Sequence, residues 1–399
     1  MRRHSKGTET KPDVRNAAGT AFVFVPRFVC PGDILLTRVP FDLLDPSTYA
    51  GVAIRGATLA PFSHAALCIE PGLMIEAIGT GVCRLALGQT GSRQRRNVKL
   101  LRLTLDVPDG HIIAQKAAFF GHQYLSRGYS IPGAIGTRIA ALRKENRGDL
   151  FCSELVARAY REAGYSLLPG KGPGEIAPGD LLKSDALRDV TKLALLQIST
   201  DRPFAFYLDD GSHFERPVHW EVKTKLEILR SGSVARELDA IHSSPESFFE
   251  LEKVLRTCLS PNLDTAVHNE LVLRSFKEQY LEKSFAAVGI SGPAEVWGPE
   301  FELRFHPTDA ELEALTAQTL QLLILDIESS ILSFRNDVKG RKTDIESWQS
   351  YRTDNNTKTF SYLEDMQTVL LLISERTLSL FEQQRELLRI EENRRGRFR

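Results

Sequence analysis

Three residues of this chain carry the side chains of acyl-transfer chemistry: Cys152, His64 and Glu76. A thiolate attacks a carbonyl carbon, an imidazole takes and returns the proton, and a carboxylate orients the imidazole and supports its cation. Cys152 opens the stretch Cys152-Ser153-Glu154-Leu155-Val156-Ala157-Arg158-Ala159-Tyr160, which has the pattern of an amphipathic helix. Leu155, Val156, Ala159 and Ala163 recur at helical spacing, Arg158 and Arg161 lie off that face, and Gly164 is placed to end it. The first turn of a helix carries unpaired N–H groups and about half a positive charge, which favours an anion there. That field suits a nucleophilic thiolate, and the same amides can supply part of an oxyanion hole. A free cysteine is also a common core residue, so the weight of the assignment falls on its two companions.

His64 and Glu76 belong to Phe62-Ser63-His64-Ala65-Ala66-Leu67-Cys68-Ile69-Glu70-Pro71-Gly72-Leu73-Met74-Ile75-Glu76-Ala77. Two short apolar runs flank Pro71-Gly72, a hairpin signal. Alternate residues of a strand share a face, as do opposed residues of an antiparallel pair. A three-residue loop Glu70–Gly72 pairs Ile69 with Leu73 and Ala66 with Glu76, which sets Glu76 diagonal to His64. A two-residue loop at Pro71-Gly72 turns Glu76 to the opposite face. The triad therefore requires the odd loop, or a bulge.

The surrounding elements follow in chain order. Residues 1–20 read as a flexible arm. Pro31-Gly32-Asp33-Ile34-Leu35-Leu36 is a turn and a short strand, with Asp33 serving the turn. Pro40–Leu59 is a connection, and Val82–Leu87 and Val98–Leu105 are strands separated by the solvated basic loop Arg93–Arg96. His111–Leu125 is a helix with Ile112, Ala117, Phe119 and Phe120 inward, and Ala134–Arg143 is a short helix before Cys152. Ala177-Pro178-Gly179-Asp180-Leu181-Leu182 turns into another short helix, and Leu193–Ile198 closes the unit as a strand.

At Gly32-Asp33-Ile34-Leu35, Ser63-His64-Ala65-Ala66-Leu67, Ile75-Glu76-Ala77, Phe151-Cys152-Ser153-Glu154-Leu155-Val156 and Ala177-Pro178-Gly179-Asp180-Leu181 the chain resembles the circularly permuted papain-like cysteine hydrolases. The nearest group is the YiiX/YaeF-like branch of the NlpC-type superfamily, related to the lecithin retinol acyltransferases. The five blocks span about residues 30–190, in the family's order. The resemblance implies Cys152 as nucleophile, His64 as base and Glu76 as the third polar member, on a small antiparallel sheet or barrel packed on helices. It implies cleavage or transfer of amide, peptide or ester acyl groups. Where an aromatic–acid pair is expected for substrate contact, this chain has Tyr129-Ser130.

Other chemistries fit less well. Gly128-Tyr129-Ser130-Ile131-Pro132-Gly133 misses the Gly-x-Ser-x-Gly elbow, and Gly164–Gly172 misses the phosphate-loop spacing and its Ser or Thr. His64 and Cys68 are separated by a strand length of about 13 Å, too far for one metal ion. No cofactor and no metal is expected.

At 399 residues the chain has room for two domains or more, each with its own core. Hydrophobic and charged fractions of 42% and 26%, with a formal net charge of +0, give no bulk electrostatic case for nucleic acid. Five widely spaced cysteines do not make a disulfide framework. The run Ala21–Val29 is broken by Pro26 and Arg27, and no transmembrane segment is evident, so a cytoplasmic location is expected.

Beyond residue 200 the pattern turns helical. Residues 201–300 are a connecting region, with strands expected at Phe204–Leu208 and Val218–Leu229 and helices at Glu246–Leu259 and Leu263–Phe285, closed by Gly289 and Pro293. Thr308-Asp309-Ala310-Glu311 is a capping box. After it Leu320, Ile324, Ile327, Ile331, Phe334 and Val338 alternate steps of four and three. A polar loop, Gly340–Thr357, leads to the same alternation at Leu363, Met366, Leu370, Ile373, Thr377, Leu380, Gln384 and Leu387. Residues 301–393 thus read as a long antiparallel helical hairpin with a coiled-coil seam, followed by a disordered basic tail, 394–399. The Leu322–Leu325 and Val369–Ile373 runs are wider than one seam and call for cover by other helices, a second protomer or a protein partner.

The expectation is an α+β fold: a permuted papain-like domain over 21–200, then a mainly α-helical region. Its function is that of a thiol hydrolase cutting amide or peptide bonds through a Cys152 thioester. A lipid acyl-ester hydrolase or acyltransferase is the competing chemistry. A catalytically idle module whose helical half is an interaction scaffold is the competing class.

Overall fold

The structure, a computed structural model, describes residues 20–38, 61–87, 90–92, 94–130, 148–199, 207–208, 217–258, 260–287, 308–313, 317–355 and 357–396. The connection expected at Pro40–Leu59, the short helix at Ala134–Arg143, the stops at Gly289 and Pro293, and all but the last residue of the 1–20 arm lie outside them.

The first half is built on strands β1 (Thr20–Phe24), β2 (Ile34–Thr37), β3 (His64–Glu70), β4 (Leu73–Ile78), β5 (Gly81–Ala86), β6 (Thr90–Ser92) and β7 (Val98–Leu103). Helices α1 (Gly110–Gln123) and α2 (Cys152–Glu162) follow, then β8 (Leu187–Asp189), the single turn α3 (Thr191–Ala194), β9 (Leu195–Ser199) and β10 (Tyr207–Leu208). One sheet has the order β5-β4-β3-β2-β7-β8 and is antiparallel throughout. The other, β10-β6-β1-β9, is antiparallel except for the short β10–β6 pair. The expected closing strand starts two residues later than its pattern suggested, because Thr191–Ala194 first makes a helical turn.

Both faces of the six-stranded sheet are covered, which is why its strands read as almost unbroken apolar runs. Ile34, Leu36, Ala65, Leu67, Ile69, Ile75 and Ala77 form one buried layer with Leu155, Val156, Ala159 and Tyr160 of α2. Leu35, Ala66, Cys68, Met74, Leu85 and Leu100 form the layer beneath, with Phe24, Val29, Val190 and Ala194. Each such side chain contributes about 1.5–3 kcal/mol by leaving water, so α2 is fixed to the sheet along its whole inner face. The inner face of α1 is rotated by about one residue from the expected one. Ile113, Ala114, Ala117 and Phe120 touch the core, whereas Ile112 and Phe119 are 41% and 62% exposed.

Asp33 does serve its turn. It is buried, accepts from the Cys30 N–H at 2.8 Å, and takes two bonds of 2.7 Å from Arg102 on β7. Gly32 before it sits at φ +88°, and a Cβ there would lie 2.5 Å from the Ala114 side chain. Tyr160 of α2 donates its hydroxyl to the Gly32 carbonyl, tying the helix to the same turn.

The second half is helical: α4 (Pro217–Leu229), α5 (Gly232–Ala240), α6 (Phe248–Cys258), α7 (Pro261–Leu273), α8 (Phe276–Ala287), α9 (Asp309–Glu313), α10 (Ala317–Asn355) and α11 (Lys358–Gly396). Val218–Leu229 is thus a helix and not a strand. Its buried residues Val222, Thr224, Leu226, Ile228 and Leu229 satisfy period two, but they do so because the helix is enclosed on more than one side. The single helix expected at Leu263–Phe285 breaks at Arg274-Ser275, where Ser275 takes a positive φ of 46°. The polar loop expected at Gly340–Thr357 is helix as far as Asn355. Ile345 and Trp348 keep the apolar face going there, and the charges that suggested a loop are paired, Arg341 with Asp337 at 2.7 Å and Lys342 with Glu375 at 2.7 Å.

Helices α10 and α11 run side by side in opposite directions. Arg389 meets Glu328, Arg335 meets Glu382, and Gln349 meets Glu364. Leu320, Ile324, Ile327 and Ile331 cluster with Leu388 across the pair, whereas Leu363, Met366 and Leu370 cluster with Trp348 and with Phe248, Leu263 and Val267 of the shorter helices; Thr377 and Leu380 are buried as well. Toward the C-terminus the buried position is Leu388 and not Leu387. The flanking row on α11 is only partly covered, with Val369 37% and Leu372 52% exposed. Arg394 and Arg395, expected in a disordered tail, are helical and pair with Glu391.

The two halves touch. The Asn336 side-chain amide of α10 donates to the Pro71 carbonyl at 3.0 Å, and Val222 and Leu226 of α4 pack with Cys83 of β5.

Candidate active site

Whether Glu76 can reach His64 is decided at the tip of the β3–β4 hairpin. Ala66 pairs with Glu76, Leu67 with Ile75 and Cys68 with Met74, as a three-residue loop would give. The turn itself is the two-residue Pro71-Gly72, with Gly72 at φ +82°, and Glu70 pairs with Leu73. The two registers are reconciled by a bulge between Cys68 and Glu70, which inserts one extra residue into β3. The Cys68 thiol donates to the Glu70 carbonyl across that bulge at 3.1 Å. One residue of slippage would have sent Glu76 to the other face.

With this register, the His64 Nε2 lies 2.8 Å from the Glu76 Oε2, and both side chains are largely buried, at 16% and 8% exposure. His64 is the first residue of β3, held in the sheet by pairing with Thr37 of β2. Burial by itself would lower the His64 pKa. Hydrogen bonds to Cys152 and Glu76, with the negative charge of both, outweigh it and raise the value to about 10. The ring is thus bonded to the carboxylate through Nε2 and lies within the influence of the Cys152 sulfur.

Cys152 is the first residue of α2, preceded by Phe151 in extended conformation as N-cap. Its neighbours in the Cys-Ser-Glu run are anchors. The Ser153 hydroxyl donates to the Ile176 carbonyl at 2.7 Å. Glu154, at the third helical position, accepts from the Phe151 N–H and pairs with Arg158 at 2.8 Å. Burial raises the Glu154 pKa, and the Arg158 charge and the Phe151 N–H oppose that rise. The sulfur points toward the Ser63 carbonyl at 4.0 Å, and Cys152 as a residue is 2% exposed.

Asp180, in the other Pro-Gly-Asp turn, is also structural. It accepts from the Ala177 N–H at 3.3 Å and pairs with Lys171 at 3.0 Å and Lys183 at 3.3 Å.

Three further residues adjoin the three candidates: Tyr129, whose segment the sequence set at the place of substrate contact, and Cys83 and His219, which the sequence did not bring there. Tyr129 pairs with Leu150 as a parallel bridge and packs on Phe151. Burial, with the Cys152 charge behind it, pushes the pKa of its phenol well above its usual range, so the hydroxyl stays neutral. Behind the triad, Cys83 of β5 stands directly opposite Glu76, and His219 of α4 lies against the pair. The Gly79-Thr80 turn makes the Glu76–Cys83 pairing readable from sequence, but nothing local announces His219, well over a hundred residues away.

Comparison with protein-family models, with curated proteins and with solved structures gives no match for this chain.

Proposed function

We propose that the chain is a thiol hydrolase of the permuted papain-like type, acting on amide or peptide bonds through a Cys152 thioester. The observation that carries this reading is the His64 ring, held by the Glu76 carboxylate at 2.8 Å and electrostatically coupled to Cys152 at a helix N-terminus. The antiparallel sheet with α2 packed across it agrees with the family that the five motif blocks resemble.

His64 holds the thiol proton, and the sulfur forms a bond to the carbonyl carbon as its π electrons move onto oxygen. First-turn amides of α2 would stabilise that oxyanion, with the neutral Tyr129 hydroxyl as a candidate further donor. The carbon–nitrogen bond then breaks, and His64 passes its proton to the leaving amine. Water, losing a proton to His64, attacks the thioester and releases the acid and the thiol. Glu76 holds the ring in orientation and supports its positive charge throughout. An acyl ester as substrate would change only the leaving group. Among the described residues no helix is long and apolar enough to cross a membrane.

The test is to trap the intermediate. The protein is mixed with panels of activated amides, short peptides and acyl esters, quenched in acid, and weighed intact. A hydroxylamine-labile adduct on Cys152, absent in Cys152→Ser and strongly reduced in His64→Ala, is expected. An adduct from acyl esters alone selects the ester chemistry. No adduct from any panel, or one on another cysteine, removes the assignment.

A further inference from the structure

The group behind the triad has the composition of a metal site. Glu76, Cys83 and His219 each present one ligand atom, and the three atoms lie within 4.8 Å of one another. Ligands at 2.0–2.3 Å in a tetrahedral shell stand about 3.3–3.8 Å apart, so the group closes on an ion with side-chain rotations of about an ångström. Thiolate, imidazole and carboxylate together suit a borderline ion such as Zn²⁺ and not the hard, oxygen-seeking Mg²⁺ or Ca²⁺.

The fold builds this arrangement from three separate elements. Glu76 and Cys83 are directly opposed in the β4–β5 ladder, which fixes two ligands on one sheet face. His219 comes from the first turn of α4, on the same face as Val222 and Leu226, and that face lies against β5. Gly81 allows the approach: a Cβ there would stand 2.8 Å from Val222 and 3.1 Å from Leu226. Glu76 and Cys83 are buried, and His219 is half-buried. A buried thiol and carboxylate side by side cannot both ionise without large cost, and a divalent cation between them offsets that cost.

We propose that Glu76, Cys83 and His219 form a binding site for Zn²⁺ or a chemically similar divalent ion, joining the helical half of the chain to the sheet that carries the triad. Binding displaces the Cys83 thiol proton to buffer and forms a metal–sulfur bond, leaving a fourth position for water. Glu76 would then serve two partners, the ion and His64. The cation draws the carboxylate charge away from the imidazole, so the ion acts as a brake on the triad and not as its cofactor. That last consequence rests on the thiol hydrolase reading, but the binding itself does not.

Co²⁺ is the probe, because thiolate ligation gives a sulfur-to-metal charge-transfer absorption that other ligands do not. The full chain is titrated with Co²⁺, with Zn²⁺ displacement confirming a shared site. The expected result is one Co²⁺ per chain, with the charge-transfer band present in the parent and in Cys152→Ser and lost in Cys83→Ser. His219→Ala, at a half-buried position, should weaken Co²⁺ binding 10-fold or more while retaining the far-ultraviolet circular dichroism of the fold, which covers the case in which Cys83→Ser fails to fold. Absence of the band, a band that survives Cys83→Ser but disappears in Cys152→Ser, or affinity untouched by His219→Ala overturns the site. Binding that is present while Cys152 forms no acyl adduct leaves the site standing and removes only the brake.

Discussion

Replacing Arg102 with Met tests how the turn that begins the sheet is held. Asp33 is 1% exposed and takes two of its hydrogen bonds from Arg102 and a third from the Cys30 N–H. Burial already holds the Asp33 pKa above its usual value, and Arg102 is the main force opposing that rise. Removing one partner of a buried pair typically costs about 3–5 kcal/mol, and the 25% exposure of the Arg102 side chain places the loss toward the lower end of that range, about 3 kcal/mol. The pH dependence has a defined sign. With its pKa raised in the folded state, Asp33 of the variant binds its proton more tightly folded than unfolded, so the deficit is largest at neutral pH and shrinks as pH falls toward the folded pKa. Urea unfolding of the parent, Arg102→Met, Asp33→Asn and the double variant at pH 7 and pH 5 gives both the loss and the coupling. A loss under about 1 kcal/mol, or no coupling between the two substitutions, refutes the claim that Arg102 holds Asp33.

Two further outcomes concern the helical half. Glu252 of α6 is buried near Lys225 and Arg256 on one side and Asp344 and Glu221 on the other, and burial lifts its pKa to about 7. Its folded state therefore keeps a proton that the unfolded chain gives up near pH 4, and stability falls as pH rises from about 4 to 7; Glu252→Gln should flatten that fall and gain at most about 3 kcal/mol at pH 8, read by thermal melts across pH. Leu370 and Leu372 are near neighbours on α11, yet 3% and 52% exposed. Leu370→Ala should cost about 2–5 kcal/mol, whereas Leu372→Lys should change unfolding by less than about 0.5 kcal/mol, and comparable losses for both would show that the outer row is buried in solution.

Much of the site was legible because its chemistry is local. The Cys152 helix, its start and its inner face are written in a single stretch of spacing, and the structure places them there. The hairpin was legible down to parity: the triad needed an odd loop or a bulge, and the bulge between Cys68 and Glu70 supplies the extra residue. The turn role of Asp33 was readable from its setting after Pro31-Gly32, though its partner Arg102, a strand away in space, was not. Misreadings fall where tertiary context overrides a local period. Val218–Leu229 alternates like a strand because the helix it forms is enclosed on several sides, and Gly340–Thr357 resembles a loop until its charges find partners on α11. His219 could not be assigned from sequence, since only the docking of α4 on β5 brings it to Glu76.

The most direct test of the triad compares the five cysteines in one reaction. Cys30 and Cys258 are exposed, whereas Cys68, Cys83 and Cys152 are buried, so accessibility alone predicts that iodoacetamide alkylates Cys30 and Cys258 first. An imidazole electrostatically coupled to the sulfur, held by Glu76 at 2.8 Å, predicts the opposite order at Cys152. Alkylation of the folded protein at limiting reagent, mapped by peptide mass spectrometry, should label Cys152 ahead of the other four, and His64→Ala should slow that site by at least 10-fold while leaving the rates at Cys30 and Cys258 unchanged. Labelling that follows exposure, or a Cys152 rate indifferent to His64, contradicts the account.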